Sequence, residues 1–116
     1  METKFYENGI VEIVDSSILV KETGDIFDIF NLLFADNRST VILRKENIAE
    51  DFFDLSTGVA GEILQKCSTY HVRMAIIGDY SSVKSKALRD FIYESNKAKK
   101  IVFVDKVEEA LRIFTE

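Results

Sequence analysis

Proline is absent from this chain, and cysteine and histidine occur once each, as Cys67 and His71. Each shortage excludes something. A single cysteine leaves no internal disulfide and no cysteine-rich metal cage. One histidine and one remote cysteine make no recognisable zinc ligand set or catalytic triad. Without proline the usual marks of a linker are missing, and no repeat or low-complexity tract divides the chain. Its five glycines never form the G-x-x-x-x-G-K pattern of a phosphate-binding loop. No apolar run approaches the roughly 20 residues that cross a bilayer as a helix. The opening M1-E-T-K-F-Y-E-N-G9 also lacks the apolar core of a signal peptide. A soluble, cytoplasmic protein is expected.

What is present suits one globular domain over residues 1–116, with 47% hydrophobic and 30% charged residues. Twenty acidic against 15 basic residues give a net charge of −5, which disfavours unspecific attraction to nucleic acid or to anionic membranes. The partners expected are an unidentified protein or a small ligand, with no nucleic acid, no membrane and no cofactor. Composition leaves the oligomeric state open.

Asn8-Gly9 joins K4-F-Y-E7 to I10-V-E-I-V14, and a two-residue Asn-Gly link marks a type I′ hairpin. D15-S-S17 turns the chain into I18-L-V20, expected as a further short strand of the same sheet. From Asp25 the apolar spacing becomes helical, with Ile26, Phe27, Ile29, Phe30, Leu32, Leu33 and Phe34 on a broad face that closes at A35-D-N37. T40-V-I-L43 is a short β-branched strand, followed by the charged stretch R44-K-E-N47. A helix should begin near Thr57 and run through G58-V-A-G-E-I-L-Q-K66. V72-R-M-A-I-I77 is nearly continuous in apolar residues, the mark of a strand buried on both faces. G78-D-Y-S-S82 then leads to a helix over K84-S-K-A-L-R-D-F-I-Y-E-S95, to the buried strand I101-V-F-V104 and to a last helix over K106-V-E-E-A-L-R-I-F114. A strand-then-helix order repeated from Thr40 implies right-handed crossovers and a largely parallel sheet.

An initial hairpin, a helix, a strand leading to Ser-Thr-Gly at a helix start, and a final F103-V-D-K-V-E-E-A-L111 together resemble the STAS fold of anti-sigma-factor antagonists. That resemblance implies an α/β STAS-like sandwich: an N-terminal β-hairpin, then alternating strands and helices on a mixed, mostly parallel sheet. It also implies a non-enzymatic regulatory or protein-interaction module. The family's helix opens on an Asp-Ser-Ser-Gly-like signature whose first serine is a phosphorylation switch; aligned on Gly58, Ser56 takes that place, with Leu55 where the aspartate would stand. A second likeness is carried by D51-F-F-D-L-S-T-G-V-A-G-E-I-L-Q65, A75-I-I-G-D-Y80, S85-K-A-L-R-D-F-I-Y-E-S-N96 and F103-V-D-K-V-E-E-A-L111. In these the chain resembles a bacterial family of domains of unknown function, numbered 4180, a likeness that names a family without naming an activity.

Two places could carry function. At the first, a Ser or Thr hydroxyl can cap the helix by accepting a free backbone N–H, worth about 1 kcal/mol. The same helix start would also stabilise a phosphate added to Ser56. Asp54, Ser56, Thr57 and Glu62 are the candidate interaction surface around that switch. The acids Glu50, Asp51 and Asp54 lack the rigid spacing of a metal site and read as solvated, with Phe52 and Phe53 pinning the loop. The second place is the crevice beyond the carboxyl end of V72-R-M-A-I-I77, where Asp79, Ser81 and Lys84 could meet a small anion. Its plainer reading is a helix cap beside a wet face. No metal site and no nucleophile with its base emerge. A receiver-domain arrangement of Asp54, Asp79, Asp105 and Lys106 conflicts with the opening hairpin.

Overall fold

The computed structural model describes residues 2–116. Strands β1 (Glu2–Phe5) and β2 (Ile10–Val14) pair antiparallel, and Asn8 and Gly9 between them take φ values of 64° and 73°. The positive φ values are those the Asn-Gly link predicts, but the loop is longer by one residue. Phe5 lies opposite Val11 and the Tyr6 N–H reaches the Ile10 carbonyl at 2.9 Å, so Glu7, Asn8 and Gly9 all lie in the loop.

Helix α1 (Ile26–Ala35) carries the chain to β3 (Thr40–Arg44), α2 (Val59–Tyr70) to β4 (Arg73–Ile77), and α3 (Lys86–Ala98) to β5 (Ile101–Val104). Helix α4 (Val107–Thr115) follows. The result is an α/β fold on a five-stranded mixed sheet in simple chain order, with β2 to β5 mutually parallel. When right-handed crossovers add every new strand on the same side, their helices all fall on one face. Accordingly α1, α2 and the Phe91–Ile92 edge of α3 pack over Val11, Ile13, Val41, Leu43, Met74 and Phe103. The alternate residues Ile10, Ile42, Ala75 and Val102 point to the opposite face, where Ala110 and Phe114 of α4 cover them.

The segment I18-L-V20 departs from expectation. It forms no strand of the sheet; Val20 makes a single parallel bridge to Ile48. The cause is Asn47, which is fully buried. Its side-chain amide donates to the carbonyls of Asp15 (2.8 Å) and Ser17 (2.9 Å), and its own carbonyl accepts from Leu19 and Val20. The amide oxygen takes the Arg44 N–H at 2.8 Å. One side chain thus ties the connection after β2 to the turn after β3, because buried backbone groups must find partners somewhere. The third helix also starts later than its charge pattern suggests, with Ser85 as its cap and Lys84 outside it.

Candidate functional site

Parallel strands end together, so the connections after β2, β3 and β4 meet on one rim. The β3-to-α2 connection is the longest of these and winds through three 3-10 turns, Lys45–Asn47, Glu50–Phe52 and Leu55–Thr57. Phe52 anchors it: the side chain is buried, 6.2 Å from the Phe103 ring and 5.0 Å from that of Phe53. Held there, the connection stands away from the loop after β4 and leaves an open cleft of about 750 Å³. That lies within the roughly 300–1,000 Å³ of ordinary small-molecule sites.

The cleft has apolar walls from Ile18, Ile48, Phe53 and Ile77, and its polar groups are unevenly satisfied. Arg44, at the end of β3, is paired with the buried Glu12 at 2.8 Å, and Glu12 also accepts the Tyr6 hydroxyl at 2.7 Å. This bond, with the nearby Glu12 charge and burial, raises the Tyr6 phenol above its ordinary range. Among the described residues Lys45 has no such directly paired carboxylate. Its ammonium sits over the Tyr80 and Phe53 rings, 5.1 and 5.5 Å from their centroids, and donates to the Asp79 carbonyl at 3.3 Å. Gly78 makes this placement feasible, since a Cβ there would come within 2.8 Å of the Lys45 Cβ. The Tyr80 hydroxyl turns inward to the Ile76 carbonyl at 3.0 Å, and burial pushes its phenol well above the ordinary range.

Three Asp-x-Ser turns are built alike. In Asp15–Ser17, Asp54–Ser56 and Asp79–Ser81, one carboxylate oxygen accepts both the backbone N–H and the hydroxyl of the serine two residues on. The serine hydroxyl and then its N–H hold each of these exposed carboxyls below the usual range, with Lys45 adding to the effect at Asp79. An acid held low in this way is a weak proton acceptor.

Ser56 therefore caps nothing. The cap of α2 is Gly58, which offers no side chain, and the Thr57 hydroxyl, 2.6 and 2.8 Å from the Asp51 and Asp54 carbonyls, accepts the Val59 N–H at 3.3 Å. Gly58, at φ 80°, separates the Leu55–Thr57 turn from α2. Glu62 lies one turn into α2 and takes the Thr23 hydroxyl at 3.2 Å. Asp54, Ser56, Thr57 and Glu62 thus form one exposed surface. The second group is not brought together as the sequence suggests. Asp79 lines the cleft and Ser81 is bound to it, but Lys84 is not among the lining residues, and its carbonyl accepts from Arg89.

Among the described residues no group of three or more His, Cys, Asp and Glu side chains could hold a metal ion, and no helix is long and apolar enough to cross a membrane. Cys67 is buried, and burial pushes its thiol up to about 12. His71 ends α2 in the left-handed conformation, with φ 57°.

The family model described as Domain of unknown function (DUF4180) matches residues 6–113. The chain belongs to this family. No curated protein and no solved structure matches it. Every residue that lines the cleft of this DUF4180 domain lies inside the matched span.

The cleft of the DUF4180 domain was only half visible in its sequence. Asp79 was, from its place beyond the central strand. Lys45, Phe53 and Ile18 were not, because R44-K-E-N47 reads as a charged stretch, Phe53 as an anchor of its loop and I18-L-V20 as a strand of the sheet. The usual rule places ligands where the strand order reverses. Here it never reverses, so the cleft owes its existence to the long β3-to-α2 connection. A lysine directly after a parallel strand, with a glycine after the next one, was the available signal.

Proposed function

We propose that this DUF4180 domain is a non-enzymatic binding module that holds a small ligand in the cleft between the ends of β3 and β4. The observation that carries the reading is the cleft itself: about 750 Å³, apolar-walled, with Lys45 standing on its wall and, among the described residues, no carboxylate directly paired to it. Convergent polar groups on an apolar cavity are the general form of such sites. A thermal-shift screen of metabolites tests it. A ligand at about 100 times its dissociation constant should add roughly 2.7 kcal/mol, readily seen as a higher melting temperature. Ala49→Phe, which fills the cleft from its lining, should abolish that shift, while Ser56→Asp should leave it intact. A ligand still bound by Ala49→Phe would overturn the reading.

A second reading is a STAS-like regulatory module working through a protein partner. It is favoured by the exposure of Ser56 beside Asp54, where an added phosphate would meet a carboxylate now 2.6 Å from the hydroxyl. Under this reading the outcomes reverse: Ser56→Asp loses the partner in a pull-down and Ala49→Phe keeps it.

A further inference from the structure

The composition of the cleft narrows what can occupy it. Arg44 carries its charge toward Glu12, 2.8 Å away, leaving little for a ligand. Lys45 differs in every respect that matters. Among the described residues it forms no ion pair: its direct partners are one carbonyl and two aromatic faces, and the Asp79 carboxylate acts on it only through space. Its stem is fixed against Gly78, so the ammonium is placed before any ligand arrives. Around it the walls are apolar, from Ile18, Ile48, Phe53 and Ile77, while the exposed acids Glu46, Glu50 and Asp79 line the same cleft.

We infer that the cleft takes a small monocarboxylate with an apolar body, its carboxylate on the Lys45 ammonium and its hydrocarbon against Ile48, Phe53 and Ile77. This rests on the small-ligand reading of the cleft and adds the ligand's class. One carboxylate matches one ammonium that no carboxylate touches directly, through a charge-assisted hydrogen bond. A nucleotide or other polyphosphate would bring several negative charges against three carboxylates and only one available cation, and is disfavoured. A neutral hydrocarbon would leave the ammonium to be desolvated without compensation.

The test uses straight and branched aliphatic monocarboxylates from butanoate to octanoate, each beside its primary amide, with ATP as the polyanion. Binding is read from amide shifts of Ala49 and Phe53 in the full chain, wild type and Lys45→Met, which keeps the unbranched stem. At least one carboxylate should bind wild type tenfold or more tightly than its amide and lose that advantage in Lys45→Met, with ATP silent. An amide that binds as well as its acid, or an acid that binds Lys45→Met undiminished, overturns the assignment. If only uncharged or cationic compounds from the metabolite screen move these signals, this inference fails and the cleft reading survives. If nothing moves them, both fail.

Discussion

The two faces of the sheet are built on different terms. Under α1, α2 and α3 strands β2 to β5 present a continuous apolar layer, and the aromatic group Phe27, Phe30, Phe34 and Tyr70 adds ring contacts of 5.6 to 6.2 Å. Under α4 the polar residues Glu12, Thr40, Arg44 and Arg73 interrupt the rows of Ile10, Ile42 and Ala75. Arg73 is satisfied by the Phe114 carbonyl at 3.3 Å and lies over the Phe114 ring. A face covered by three helices can exclude water completely and needs no polar partners. A face covered by one nine-residue helix leaves its flanks to charged side chains, and one of these, Arg44, reaches the cleft. The cleft draws its walls from both sides, Ile48 and Phe53 from the helical core and Ile77 from the α4 face.

The contrast between the two faces can be broken by mutation. Phe30→Ala should have the largest effect, a loss of about 3–5 kcal/mol, since an almost fully buried aromatic leaves a cavity that its neighbours cannot fill. Urea unfolding measures it, and a loss below about 2 kcal/mol would mean that the helical face is not the dominant store of stability. Glu12→Gln should cost less, about 1–3 kcal/mol: the amide can still accept from Tyr6, but Arg44 loses its ion partner. The Arg44 side chain is 29% exposed, so water takes up part of the loss. Should Glu12→Gln cost as much as Phe30→Ala, the polar seam would be as structural as the aromatic core.

The helical face was legible in the sequence and the α4 face was not. Spacings such as Ile26, Ile29, Phe30 and Leu33 report burial directly, because one face of a helix repeats every 3.6 residues. T40-V-I-L43 reads as a short β-branched strand, which does not say that Thr40 is buried on its second face. Periodicity sees which residues share a face but not what arrives to cover it. The same limit hid half of the cleft. Asp79 was found from its place beyond a strand, whereas Ile18 and Lys45 meet only because Asn47, a residue of unremarkable sequence context, draws two distant connections together. Such a link spans about 30 positions, from Ser17 to Asn47, and leaves no local signature.

The smallest predicted effect tests whether the polar seam contains a defect. Thr40 is 1% exposed, and among the described residues its hydroxyl has no hydrogen-bond partner; the Nε of Arg38, two residues earlier, shares this condition. An unpaired buried hydroxyl carries a desolvation cost with no return, and valine matches threonine in shape and in preference for strands. Thr40→Val should therefore stabilise the domain by about 1 kcal/mol, raising its melting temperature by roughly 3–6 °C. A destabilised Thr40→Val would show that the hydroxyl is satisfied in solution. The α4 face would then be a completed polar network rather than an apolar layer with one fault.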